Sequence, residues 1–132
     1  MEDTLNDYIR HDNAAKMMYR NLKDIVVNGK LKNKKVIMFG TSKIAGMIVY
    51  YLNKMNVHFD AIVDNDKKRW NHLVWGIEVH CPDEYLSDMD KDKVFLIASS
   101  YQDEMIEQIE SYGYDKDTNI VKVIDLPAIM ND

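Results

Sequence analysis

The sequence predicts an α/β domain built on a single parallel sheet of strand order 3-2-1-4-5, with helices on both faces and one helix ahead of it. Three observations carry this expectation. Short apolar runs alternate with stretches of helical periodicity, which is how parallel strands and their crossovers are written in a sequence. The first run ends abruptly at Gly40. Length completes the case, because 132 residues supply one hydrophobic core where two would both be marginal.

Taken in order, residues 3–28 place Leu5, Tyr8, Ile9, Ala15, Met18, Leu22, Ile25 and Val26 mostly three or four apart, the stripe of an amphipathic helix. His11-Asp12-Asn13 interrupts the stripe, so one helix and two shorter ones are both open readings. Asn28-Gly29 supplies residues able to adopt the left-handed conformation that ends a helix. After a polar stretch, Val36-Ile37-Met38-Phe39 reads as a strand covered on both faces. Residues 42–56 carry a second helical stripe through Ile44, Ala45, Ile48, Val49, Leu52 and Met55. A second strand follows over 59–63 and ends at Asp64, which completes a βαβ unit. Further on, 76–80 reads as a third strand, and 82–89 as a short helix with Pro82 near its first turn. Residues 94–98 form a fourth buried strand, 102–112 a helix through Met105, Ile106 and Ile109, and 119–124 a fifth strand. The expected organisation is an amino-terminal helical segment over 1–30, the α/β domain over 31–126 and a tail over 127–132.

Composition narrows the functional classes. The chain is 46% hydrophobic and 30% charged with 5 Gly and 2 Pro, a globular balance. The net charge of −5 argues against a broad nucleic-acid surface, since such surfaces work by replacing counterions with Lys and Arg. No apolar run reaches the roughly 18 residues of a membrane span. The single cysteine, Cys81, and an acidic start without a following apolar stretch point to a cytoplasmic protein. Charge is unevenly spread: residues 1–56 hold 10 basic and 5 acidic groups, leaving 7 basic and 17 acidic groups to the remainder. A solvated face explains this better than an acidic partner.

Gly40-Thr41-Ser42-Lys43-Ile44-Ala45-Gly46 occupies the place of a dinucleotide fingerprint, with Ser42 and Ala45 where the second and third glycines stand. Small residues there still allow close approach of ligand and sheet. Unpaired amides and the helix dipole at such a turn favour a diphosphate, and Lys43 in the first helical turn is a candidate phosphate contact. Asp64, at the carboxyl end of the second strand, stands where an acid accepts hydrogen bonds from ribose hydroxyls, with Asn65 beside it. Ser99, Ser100 and Tyr101 follow the fourth strand, next to the strand-order reversal where open α/β sheets bind ligands. The whole reads as a Rossmann-like three-layer domain.

Other constellations lead nowhere. Lys30, Lys32, Lys34 and Lys35 precede the first strand and so belong at the opposite edge of the sheet from the crevice. His11, His58, His72 and His80 lack metal-binding spacings with each other or Cys81, so no metal is expected. Tyr50 and Lys54 form a Tyr-x-x-x-Lys pair too early in the fold for a nicotinamide, and no P-loop is present. Trp70 and Trp75 are read as loop residues buried against the sheet edge in preference to stacking platforms.

From Lys34 to about Ile124 the chain resembles the amino-terminal Rossmann-like domain of bacterial sugar acyltransferases and related capsule and teichoic-acid biosynthesis proteins. The resemblance is carried by Val36 to Ser42, Ile62-Val63-Asp64-Asn65-Asp66-Lys67-Lys68-Arg69-Trp70, Gly76-Ile77-Glu78-Val79 and Ile97-Ala98-Ser99-Ser100. It implies a noncatalytic domain that binds a UDP-type sugar nucleotide in surface-polysaccharide biosynthesis, with the glycine turn and Asp64 as contacts. The catalytic hexapeptide repeats of those enzymes are absent from this sequence. Two other readings stay open: an oxidoreductase domain binding NAD(P), and an interaction module or homodimer whose first helix offers Leu5, Tyr8 and Ile9 as an apolar patch.

Overall fold

A computed structural model describes residues 13–97 and 102–123. The expected segments 3–12, 98–101 and 124–132 lie outside the described residues. The first described helix, α1 (Asn13–Val27), buries Met18, Leu22 and Ile25 at helical spacing. It stops where Asn28-Gly29 predicts. Gly29 adopts φ 73°, its amide bonds to the Val26 carbonyl at 3.1 Å, and the Lys30 amide reaches back to Ile25 at 3.2 Å. These are the two bonds of a Schellman cap, which satisfies carbonyls that a helix end leaves orphaned.

The remaining elements are β1 (Lys35–Phe39), α2 (Lys43–Lys54), β2 (Ala61–Val63), a 3-10 turn (Lys67–Arg69), β3 (Leu73–Val74), β4 (Ile77–His80), α3 (Pro82–Leu86), β5 (Lys93–Ile97), α4 (Gln102–Ser111) and β6 (Ile120–Lys122). They form one sheet in the order β3-β4-β2-β1-β5-β6. Its parallel strands keep the expected 3-2-1-4-5 arrangement, and the short β3 adds an antiparallel edge. That edge strand is not expected from the sequence. Two residues are too few to show alternation, and the β3–β4 turn places Trp75 (φ 51°) and Gly76 (φ 77°) in the left-handed region. This is the signature of a tight hairpin, but Trp replaces the usual Asn or Asp at its first position.

Side-chain alternation along the strands divides the core into two layers. Val36, Met38, Ile62, Val79 and Leu96 pack with α1 and α2, while Ile37, Phe39, Val63, Phe95 and Ile97 pack with α3 and α4. Register aligns Phe39 with Val63 and Ile97, Val63 with His80, and Ile97 with Lys122. The carboxyl ends of the parallel strands therefore share one edge.

Lys93 explains why β5 starts one residue earlier than expected. It is 4% exposed, and its ammonium donates to the carbonyls of Tyr85 at 2.8 Å and Asp88 at 2.6 Å. A charge can be buried when its donors are paired in this way. β6 starts late for a related reason. The Asn119 side-chain amide donates to the carbonyls of Lys91 and Lys93 at 3.2 and 3.0 Å and so serves as a brace beside the strand.

Candidate functional site

The carboxyl edge of the sheet centres on Gly40. Its φ of 109° belongs to the region that L side chains rarely adopt, so the turn requires glycine here. Its amide donates to the Val63 carbonyl at 2.8 Å, which ties the end of β1 to the end of β2. On the other side, the Met105 methyl from α4 lies 3.8 Å from where a Cβ would stand.

Thr41 and Asp64 are brought together across this edge. The Thr41 hydroxyl donates to Asp64 Oδ2 at 2.8 Å, and the Asp66 amide donates to Oδ1 at 2.8 Å. The Asp64 main chain is held as well. Its amide donates to the His80 carbonyl at 3.2 Å, and its carbonyl accepts from Trp70 Nε1 at 2.6 Å. A carboxylate offers about four acceptor sites, so these two side-chain bonds leave capacity for a ligand hydroxyl. Trp70 thus acts as a buttress for Asp64 as well as a loop residue packed on the core.

Ser42 is the N-cap of α2, with φ −68° and ψ 168°, and its hydroxyl accepts from the Ala45 amide at 3.2 Å. This corrects one expectation: of the amides at the turn, that of Ala45 is already paired, because Ser is a strong N-cap at this position. Ala45 itself is fully buried, so its smallness serves the contact of α2 with the sheet. Lys43 is the first residue of α2 and is exposed.

Asn65 follows Asp64 in the loop after β2 and is exposed. Its side-chain amide exchanges two hydrogen bonds with Gln108 of α4, at 2.9 and 3.0 Å, and so links the loop after β2 to the opposite layer. Ser99, Ser100 and Tyr101 lie outside the described residues. Trp75, expected to be buried against the sheet edge, is instead 42% exposed and packs on α2, and Gln102 was missed by sequence reasoning. Trp75 lies against Gly46, and a Cβ on Gly46 would come within 2.6 Å of the indole. Gln102, the first residue of α4, is 2% exposed, and its side-chain carbonyl oxygen has no hydrogen-bond partner among the described residues. A polar residue falling on the stripe of Met105, Ile106 and Ile109 was the available signal for it.

The lysine stretch lies at the amino end of the strands, as its place before β1 requires. Lys35 pairs with Asp90 at 2.7 Å, and Lys34 lies 3.7 Å from Asp92. The hydrogen bond to Asp90 holds the Lys35 ammonium above its ordinary pKa, and the same bond holds the Asp90 carboxyl below its own. A cleft of about 490 Å³ beside this stretch is lined by Leu31, Lys32, Met55 and His58 among others. Lys54 stacks over the Tyr50 ring at 5.4 Å on the exposed side of α2, which accounts for the Tyr-x-x-x-Lys pair. Among the described residues no three His, Cys, Asp or Glu converge on a metal position, and no helix is long and apolar enough to cross a membrane.

Comparison with known proteins yields a family and a fold. A family model described as C2185-like, N-terminal, matches residues 32–120. No curated protein matches the chain. A solved structure of UDP-D-quinovosamine 4-dehydrogenase from Vibrio fischeri superposes with a TM-score of 0.57 at 22% identity, covering 75% of this chain and 84% of that one. At that identity the likeness establishes the Rossmann-like fold.

Proposed function

The chain belongs to the C2185-like N-terminal family, and from that premise and the geometry at Gly40 we propose that it is a noncatalytic domain that holds a nucleotide-activated sugar. The carrying observation is the 2.8 Å bond from Thr41 to Asp64, which joins the glycine turn to the end of β2. In this arrangement a diphosphate lies over the turn, at the positive end of α2, and the ribose reaches Asp64. Lys43 adds charge beside the diphosphate. The Vibrio fischeri protein is by name a dehydrogenase of a UDP-sugar, which supports the same ligand class. So does the resemblance to sugar acyltransferase domains, which adds a setting in cytoplasmic steps of surface-polysaccharide biosynthesis.

The NAD(P) reading is favoured by the same acid at the end of β2, since a ribose hydroxyl is common to both ligands. One calorimetric titration separates them. Heat with UDP-glucose and none with NAD or NADP supports the proposal, the reverse supports the dinucleotide, and no heat with any of the three removes both. Asp64→Ala is expected to weaken UDP-glucose binding about tenfold, the effect of losing a hydrogen bond to a charged acceptor.

A further inference from the structure

Within the nucleotide-sugar reading, on which this inference rests, the geometry points to Gln102 as the residue that recognises the sugar, through a hydroxyl or N–H donated to its side-chain carbonyl. Placement comes first. Gln102, Met105, Ile106 and Ile109 share the inward stripe of α4, and Ile109 and Gln102 are both buried. α4 descends from the carboxyl edge of the sheet toward the start of β6, so its first residue is its uppermost. The Met105 methyl already reaches Gly40, 3.8 Å from the position of its missing Cβ. Three residues of helix place the Gln102 backbone about 4.5 Å nearer that edge than the Met105 backbone. Helical side chains also tilt toward the amino terminus, which directs this one toward the carboxyl edge of the sheet.

Chemistry then limits the partner. A buried carbonyl oxygen without a partner is costly, and Gln102 Oε1 is such an atom among the described residues. It accepts and cannot donate, so it repels phosphate oxygens and suits a hydroxyl or an amide N–H. Lateral position selects among such groups. The strand order places β2 on one side of β1 and β5 on the other, and Asp64 follows β2 while Gln102 follows β5. With a diphosphate over Gly40 and the ribose at Asp64, the group that falls to Gln102 is the one beyond the second phosphate, the sugar.

The test compares UDP with UDP-glucose on the wild-type chain and on Gln102→Met, which keeps the length of the side chain and removes the acceptor. Calorimetry is expected to show about a tenfold loss for UDP-glucose and less than about a twofold change for UDP. Gln102→Asn, which withdraws the carbonyl by one methylene, is expected to give the same selective loss and serves if Q102M does not fold. Equal losses for UDP and UDP-glucose, or unchanged affinity for both, would each overturn the assignment. A wild-type chain that binds neither UDP nor UDP-glucose defeats the nucleotide-sugar reading, and the assignment falls with it. Binding of both with their affinity ratio preserved in the variants defeats the assignment alone.

Discussion

Replacing Gly46 with alanine is expected to destabilise the protein, although glycine inside a helix is ordinarily the weaker choice. Gly46 lies in the first turns of α2, where Ala is favoured over Gly by about 1 kcal/mol. Against that gain stands Trp75, whose Cζ2 and Cε2 would be 2.6 and 2.8 Å from the new methyl. No real contact is that short, so the indole must leave its seat. Trp75 is 42% exposed, which means that somewhat more than half of it is covered now. A Trp buries on the order of 150–250 Å², and at about 25 cal/mol per Å² re-exposing half of that costs about 2–3 kcal/mol. The net expectation for G46A is a loss of about 1–2 kcal/mol. The discriminating experiment repeats the substitution in Trp75→Gly, which tolerates the positive φ of the hairpin while removing the ring. There G46A is expected to stabilise by about 1 kcal/mol, since only helix propensity remains. Urea denaturation of the four proteins gives the coupling directly, and about 2–3 kcal/mol is far above the error of additivity. Stabilisation by G46A in both backgrounds would refute the seating of Trp75 on α2.

Lys93→Met is expected to cost about 2 kcal/mol, because the carbonyls of Tyr85 and Asp88 lose the charged donor and keep only the Tyr114 hydroxyl between them, and a lowered urea midpoint at unchanged slope would record it. Asp90→Asn tests the exposed pair with Lys35 through pH. Asp90 is held low, so its contribution is present above the ordinary carboxylate value and is lost as pH falls through its depressed pKa. Lys35 is held high, so its contribution is present below the ordinary lysine value and is lost as pH rises through its raised pKa. The stability difference between wild type and D90N should therefore be flat from about pH 4 to about pH 10 and shrink at both ends, and it should diminish with salt. Thr41→Val and Trp70→Phe each remove one support of Asp64 and are expected to cost about 1 kcal/mol apiece. Because they hold the same residue, the double variant should depart from additivity, as thermal unfolding of the set would show.

The central strands β1, β2 and β5 were legible because they are buried on both faces. A run such as Val36 to Phe39 has no polar alternation to confuse it with a half-exposed strand. The stop of α1 was legible because Asn28-Gly29 states its own backbone chemistry. The β3 edge was not, since two residues carry no period and Trp75 does not announce a tight turn. At the site, the positions of Gly40 and Asp64 follow from strand ends, which the sequence marks well. The bond between Thr41 and Asp64, by contrast, joins residues 23 apart through a hydroxyl that composition cannot assign. The Asn65–Gln108 exchange spans 43 residues and two layers, and no local pattern foretells it.

The two sides of Gly40 differ in how their polar groups are satisfied, and the difference bears on where affinity and selectivity arise. On the β2 side Asp64 is fixed through its amide, its carbonyl and both carboxylate oxygens before any ligand arrives. Such a group has little freedom left to lose, so the proposed contact with a ribose would be made without the usual ordering cost. On the β5 side Gln102 is buried, and its carbonyl oxygen is unpaired among the described residues. A group in that state gains most from the one partner that completes it and discriminates strongly against ligands lacking the donor. A pre-set acid at one end and an incomplete acceptor at the other divide the proposed work accordingly. In that proposal the nucleoside is the common anchor, and the sugar decides which nucleotide is kept.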